Sequence, residues 1–425
     1  MRTQESLKVL IVAETYLPEI NGAAIATHRL ADALARRGNA VRIVAPRSTA
    51  GRARFSRADT GVSVYEVRSR AVAVHTSHRV GVPWEVRPTI RQAFDEFAPD
   101  VVHVQGTFAI CSAAIREAKR RGVALVATNH LMPENLLPFV PAPDWLKRIV
   151  KWWMWKDMDK KFADADILTT PTSRSAEEMA KNGIQTPIRV ISNGIDLQQF
   201  SGHGSHGASD VPTVLFVGRL AKEKHVDQII RAIAQAVHSA NLRLEIVGGG
   251  EQLPMLMALC DDLNVSNRVR FLGRVTDEEL RDAYLRCTMF CMPGTADLQS
   301  LATLEALSAS KPVLVANALA LPHLVRDGVN GYLFEPGSVS QLADRMVRIA
   351  TSTRTQLDAM ARASRAIAER HSIEKSIDTV ESLYREAIGG QSGRRSGGTS
   401  READELREIE AALPALIWFR QGEPA

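Results

Sequence analysis

The chain has 425 residues, 45% of them apolar and 24% charged, too long for one hydrophobic core and too apolar for a disordered or fibrous chain. The net charge of +5 suits phosphate ligands or an anionic membrane surface and is too small to point to nucleic acid. Cys111, Cys260, Cys287 and Cys291 show neither CxxC spacing nor disulfide-scaffold density, so they read as buried thiols of a reducing compartment. No run approaches the about 18 apolar residues of a spanning helix, so a cytoplasmic protein, soluble or peripheral, is expected.

Taken in chain order, short β-rich runs alternate with helical patterns. "LKVLIVA" is followed by a helix from Ala24 to Arg37, then "AVRIVA", "VSVYEV", a helix near Arg87 to Phe97, "DVVHV", a helix near Ser112 to Arg121, and "ALVAT". Uniformly apolar strands separated by helices are the signature of a parallel sheet covered on both faces, so the fold class is doubly wound α/β. The pattern pauses in a Gly/Ser/His stretch at 201–211 and resumes with "TVLFVG", "LRLEIVGGG", "RVRFLG", "TMFCMP" and "PVLVA". The expected organisation is a first domain over 1–200, a linker over 201–211 and a second domain over 212–388. A flexible linker and short C-terminal helix complete it over 389–425. His203 and His206 read as solvated linker residues.

The segment 145–155, "WLKRIVKWWMW", is the most unusual local composition. On a helix, Trp145, Leu146, Ile149, Val150, Trp152, Trp153 and Met154 share a broad face opposite Lys147, Arg148 and Lys151. The pattern fails after Lys156, which predicts a short helix. From Lys147 to Lys161 six basic and two acidic residues occur. Trp on one face and Lys/Arg on the other suit an anionic membrane surface. The plainer alternative is a helix packed on the first domain.

In the second half, "TVLFVG" runs into Gly218 and Arg219, with Lys224 five residues on. Open α/β sheets bind ligands where a strand ends and a helix begins, and the two cations could clamp a diphosphate. The glycines of "EIVGGGE" would allow close backbone approach to a ring or phosphate. They form no GxGxxG fingerprint, and no suitable acid follows about twenty residues on, which argues against a nicotinamide enzyme. Asp297 and Glu305 flank and enter the helix of "PGTADLQSLATLEALSASKPVLVA".

These stretches, with "VRDGVNGYLF", "KVLIVAETYLPEINGAAIATHRLADALARRGNAVRIVAP", "PDVVHVQG" and "VISNGIDLQQF", resemble the family-4 retaining glycosyltransferases of GT-B fold in order and spacing. The resemblance covers about residues 7–388 and implies two Rossmann-like domains facing across a cleft. It implies an acceptor-binding first domain and a nucleotide-sugar second domain, with no metal and no cofactor. Arg219 and Lys224 take the place of the family's diphosphate ligands, Glu305 that of its ribose anchor, and Asp297 that of the acid beside the transferred sugar. The amides of Gln299, Ser300 and Leu301 would meet phosphate at a helix N-terminus. Gly22, with Asn21 and Ala23, would approach the phosphates from the first domain. His130 would lie near the sugar, and Gly273 and Arg274 near the base.

Three departures stand out. Asp297 replaces the usual Glu, and Leu298, Gln299 and Ser300 replace Gly-Phe-Gly, as in resembling subgroups with "E-x-Q-S" that act on lipid acceptors. His225 and Ser310 replace customary glycines, Ser310 where positive φ is wanted. The implied function is hexosyl transfer, glucose or mannose, from a nucleotide diphosphate sugar to a membrane lipid or lipid-linked acceptor. The protein would then be peripheral on the cytoplasmic face of an anionic membrane. A soluble-acceptor transferase and a GT-B nucleotide-sugar epimerase are the rival readings.

Overall fold

A computed structural model describes residues 6–19, 21–47, 55–57, 62–72, 75–135, 137, 142–200 and 211–394. Among the described residues the first half contains ten strands: β1 Lys8–Val12, β2 Ala40–Pro46, β3 Phe55–Arg57, β4 Ser63–Val67, β5 Ser69–Val72, β6 His75–Gly81, β7 Val101–Val104, β8 Ala124–Thr128, β9 Ile167–Thr170 and β10 Ile188–Val190. Its helices are α1 Gly22–Arg36, α2 Pro83–Phe97, α3 Ala109–Arg121, α4 Asp144–Phe162 and α5 Ser173–Lys181. Eight strands form one sheet in the order β10-β9-β8-β7-β1-β2-β4-β3, and β5 pairs with β6 in a hairpin. Every pairing in the eight-stranded sheet is parallel except that of β3 with β4.

The second half repeats the plan with β11 Thr213–Val217, α6 Val226–Ala236, β12 Arg243–Val247, α7 Leu253–Asp262, β13 Val269–Gly273, α8 Asp277–Arg286 and β14 Met289–Met292. It continues with α9 Leu301–Ser308, β15 Val313–Ala316, β16 Gly331–Phe334, α10 Val339–Ala350, α11 Arg354–Ala368 and α12 Ile373–Arg394. Its six strands are all parallel, in the order β13-β12-β11-β14-β15-β16.

Alternate residues of each central strand feed opposite faces, as strand geometry requires. Leu10 and Val12 of β1 join Phe94 of α2, Ile115 of α3 and Phe162 of α4. Val9 and Ile11 join Leu34 of α1 and Tyr384 of α12 on the other face. Both faces are therefore covered, which is why the strands read as continuous apolar runs.

The last helix corrects the expected domain limits. Helical residues run on to Arg394 rather than stopping near 388. Ile377, Val380, Leu383, Tyr384 and Ala387 pack in the core of the first sheet. Tyr384 Oη lies 2.7 Å from His103 Nδ1 of β7. The chain thus crosses between the sheets at 191–200 and returns before α12. The two crossings pair where Ile195 N donates to His371 O at 2.8 Å and Ile373 N to Ile195 O at 2.9 Å. Gly194, at φ +78°, permits this, because a Cβ there would lie 2.8 Å from Ile373 Cα. Residues 201–210 of the expected linker, and the expected C-terminal segment beyond Arg394, lie outside the described residues.

The four cysteines are buried with their thiols unbridged. Among the described residues no helix is long and apolar enough to cross a membrane.

At the C-terminus of α9, Ser310 N donates to Leu307 O at 3.0 Å and Lys311 N to Ala306 O at 2.9 Å, the bond pair of a Schellman motif. Ser310 adopts φ +58° to close it, a conformation that disfavours a Cβ. Ser310→Gly should therefore raise the free energy of unfolding by about 0.5–1 kcal/mol. Denaturant titration of the two proteins would measure it.

Candidate active site

A parallel sheet covered on both faces offers ligands the ends of its strands, at the point where the strand order reverses. In the second sheet that point lies between β11 and β14. The loop after β11 carries Arg219 and Lys224, and the loop after β14 carries Asp297. Lys224 Nζ donates to Asp297 Oδ1 at 2.5 Å, and Arg219 Nη2 to Glu223 Oε1 at 2.5 Å. Each of these four side chains is largely buried. Asp297 Oδ2 and Glu223 Oε2 are buried with no hydrogen-bond partner among the described residues. A pair of cations thus sits in the strand-end crevice, each held by a carboxylate.

Two of the three glycines of "EIVGGGE", Gly248 and Gly250, serve this loop rather than a ligand, whereas a Cβ on Gly249 would meet nothing within 4 Å. A Cβ on Gly248 would lie 2.0 Å from Gly218 O, and one on Gly250 would lie 2.3 Å from Leu220 O. Leu220 N donates to Gly249 O at 2.9 Å, and Gly248 N to Gly273 O at 2.8 Å. The ends of β11, β12 and β13 are laced together, and Arg219 is held between backbone walls. Gly273, at φ +67°, has open space at its Cβ position. Arg274 is exposed and makes no hydrogen bond or ion pair with the clamp residues.

Asp297 precedes α9 in an irregular loop, while Ser300 caps the helix, its Oγ accepting from Thr303 N at 3.2 Å. Gln299, Ser300 and Leu301 lie at the helix mouth, as expected. The side chain of Gln299 has another task. Its Oε1 accepts from Asn193 N at 2.8 Å, and its Nε2 donates to Ser192 Oγ at 3.0 Å. Leu298 is buried in the core of the first sheet, and its carbonyl accepts from Thr172 Oγ1 at 3.0 Å. The triplet that replaces Gly-Phe-Gly is therefore a wedge between the two halves. Glu305, one helical turn on in α9, is 5% exposed. It accepts from Tyr284 Oη at 2.9 Å and from Arg29 Nη2 at 2.5 Å.

The first sheet reverses between β7 and β1. Glu14 follows β1, Gln105 follows β7, and His130 follows the neighbouring β8. His130 Nε2 lies 2.6 Å from Gln105 Oε1. A carboxamide oxygen only accepts, so Nε2 carries the proton and Nδ1 is an acceptor. Burial pushes the imidazole pKa down to about 4. Gln105 Nε2 and the Nδ2 of the adjoining Asn129 are buried without partners among the described residues. Gly22 opens α1 beneath Asn21, whose Oδ1 accepts from Ala24 N at 2.9 Å. A Cβ on Gly22 would meet nothing within 4 Å. One turn on, Ala26 packs in the core of the second sheet, which brings the mouth of α1 to the crevice.

The Trp-rich segment differs from its expected form. α4 runs through Phe162, because Trp155, Met158 and Phe162 dock its second half on the first sheet. Trp145, Ile149, Trp152 and Trp153 remain exposed, Trp152 at 62%. Met154 is not among them, and Lys147 and Lys151 are only partly exposed. Lys151 Nζ pairs with Glu134 Oε1 at 2.6 Å. The exposed cations beside the Trp face are Arg148, Lys156 and Lys160.

Arg29, Tyr284 and Gln105 were not singled out in the sequence. Gln105 at the end of "DVVHV" carried a usable signal, its place at a strand terminus; Arg29 and Tyr284 carried none. Among the described residues, no group of three or more His, Cys, Asp or Glu side chains is placed to hold a metal ion.

Two Rossmann-like sheets with crevices at both reversal points constitute the GT-B architecture of glycosyltransferases. Residues 20–199 match the family model described as Glycosyltransferase Family 4, and residues 203–366 match Glycosyl transferases group 1. The chain belongs to this glycosyltransferase family. It is similar to a GDP-mannose-dependent alpha-mannosyltransferase of Mycobacterium tuberculosis (strain CDC 1551 / Oshkosh), at 28% identity over 82% of this chain and 91% of the relative. It is also similar to the alpha-monoglucosyldiacylglycerol synthase of Acholeplasma laidlawii, at 24% identity over 77% and 85%. The sucrose-phosphate synthase of Thermosynechococcus elongatus superposes with a TM-score of 0.75 at 16% identity, over 90% of this chain and all of that one.

His130 should stay neutral well below pH 6. Its folded pKa lies below its unfolded value near 6.5, so protonation opposes folding as pH falls from roughly 6.5 to 4. The destabilisation is at most about 1.4 kcal/mol per pH unit. Nitrogen-15 NMR should report the depressed titration, and His130→Gln should flatten the loss of stability across that window.

Proposed function

We propose that this protein is a retaining, metal-independent hexosyltransferase, moving glucose or mannose from a nucleotide diphosphate sugar to a membrane lipid or lipid-linked acceptor. The observation that carries the lipid reading is the face of α4. Three tryptophans and an isoleucine stand exposed beside Arg148, Lys156 and Lys160, on a helix whose other stripe is anchored in the protein. Amphipathic indoles flanked by cations suit the headgroup layer of an anionic membrane. The names of the GDP-mannose-dependent alpha-mannosyltransferase and the alpha-monoglucosyldiacylglycerol synthase support the sugar classes, and the second name supports the lipid acceptor.

The chemistry follows from the crevice. The donor diphosphate takes the cations, displacing Glu223 from Arg219 and Asp297 from Lys224, while the mouth of α9 adds backbone donors. The released Asp297 lies beside the sugar, and Glu305 receives the ribose hydroxyls. Neutral His130, its Nε2–H fixed by Gln105, accepts a sugar hydroxyl at Nδ1. The acceptor oxygen attacks the anomeric carbon on the face from which the diphosphate departs. The carbon–oxygen bond to phosphate breaks as the new glycosidic bond forms, and the leaving phosphate oxygen takes the acceptor proton. Arg219 and Lys224 stabilise the charge that grows on the leaving group, the usual role of a metal ion. Retention follows from attack on that same face.

Two measurements test this reading. Lys224→Met should lower transfer by at least about 100-fold, the scale expected for one charged contact to the leaving group; undiminished transfer would contradict the clamp. Flotation with vesicles containing phosphatidylglycerol should carry the protein upward, and a Trp152→Ala/Trp153→Ala double variant should lose at least about tenfold in partitioning. A protein that ignores the vesicles, or floats equally well without the two indoles, would favour a soluble acceptor.

A further inference from the structure

Arg29 is the charged side chain through which the first half of the chain enters the donor crevice of the second. It projects from α1 one turn beyond Ile25 and Ala26, which pack on the core around the second sheet. Its Nη2 lies 2.5 Å from Glu305 Oε1, with the two side chains only 17% and 7% exposed. The partners are 276 residues apart in sequence. Glu305 Oε2 is taken by Tyr284 Oη, so one lone pair on each carboxylate oxygen stays open to a further donor. Arg29 Nη1 is buried and has no partner among the described residues. Leaving one donor of a charged guanidinium buried without a hydrogen-bond partner is costly.

We propose that Arg29 is a donor-binding residue supplied across the cleft. Nη2 orients the Glu305 carboxylate, and Nη1 is kept for an oxygen of the bound nucleoside diphosphate, whose ribose hydroxyls donate to the open lone pairs of Glu305. The pair then has two uses. It ties α1 to α9, and it completes the nucleoside site only when the two halves meet, so that donor binding and closure favour each other. This rests on the reading of Glu305 as the ribose anchor.

Calorimetric titration of the full chain with UDP and with GDP, alongside small-angle scattering, tests it. Arg29→Met should weaken the better-binding nucleotide at least tenfold. The double variant that adds Glu305→Gln should show a total loss smaller than the product of the two single losses, because the two groups act on one ligand. Arg29→Lys keeps the charge and the reach to Glu305 without a second nitrogen. It should therefore restore the compact scattering profile while leaving affinity at least fivefold below that of the unaltered chain. Arg29→Met binding as tightly as the unaltered chain, or more tightly, would overturn the proposal. Full recovery of affinity by Arg29→Lys would equally overturn it, reducing Arg29 to an interdomain tie. If neither nucleotide binds the unaltered chain, the nucleotide-sugar reading itself fails.

Discussion

A parallel sheet buried on both faces leaves only the ends of its strands for chemistry, and the candidate site of this protein depends on that constraint. The strands cannot expose polar side chains along their length without breaking the core. Functional groups therefore collect where the chain leaves a strand, and the reversal of strand order opens a crevice there. Arg219, Lys224 and Asp297 occupy one such crevice, and Glu14, Gln105 and His130 another. Because α1 and the Leu298 wedge each cross to the core of the opposite half, the two crevices are presented to each other.

The acids in the crevice give the resting site its electrostatic character. Each phosphate-seeking cation already holds a carboxylate, so the site is preorganised without being left as bare positive charge. Incoming diphosphate exchanges one anion for another at each cation. On the proposed reading, the released Asp297 then serves the sugar hydroxyls, while Glu305, held by Arg29 and Tyr284 outside this exchange, serves the ribose. Asp297, one methylene shorter than the family's usual glutamate, still spans the distance to Lys224, because Gly294 leaves room for both. A Cβ on Gly294 would approach Lys224 Cδ at 3.3 Å and Asp297 Oδ2 at 3.4 Å.

What the sequence disclosed was mostly local or periodic. Apolar runs marked the strands because burial on both faces imposes them, and the eight-residue offset from Asp297 to Glu305 survived because loop and helix are contiguous. Ser310 was legible as a positive-φ position through the Schellman closure that follows α9. The misreadings share a cause, which is contact between residues distant in the chain. The triple glycine looked ligand-facing, yet Gly248 and Gly250 lie against Gly218 and Leu220, some thirty residues earlier. Lys151 was grouped with the cations suited to a membrane surface, but its ammonium pairs with Glu134. Nothing in the helical periodicity of 373–394 announced that this segment packs on the first sheet, since an apolar stripe does not name the surface it will cover.

The paired crossings at Ile195 and Ser372 have a mechanical consequence. Two bodies joined by one flexible tether can swing, twist and slide. Bodies joined by two straps that are themselves hydrogen-bonded side by side, with Gly194 pressed against Ile373, behave as a door on a pinned axis. Such a joint restrains twist and slide between the two halves, and the seat of the Leu298 wedge in the first core is held in register with it. The hinge is also wired to the crevice, because Gln299 at the mouth of α9 bonds Asn193 N and Ser192 Oγ of the first strap.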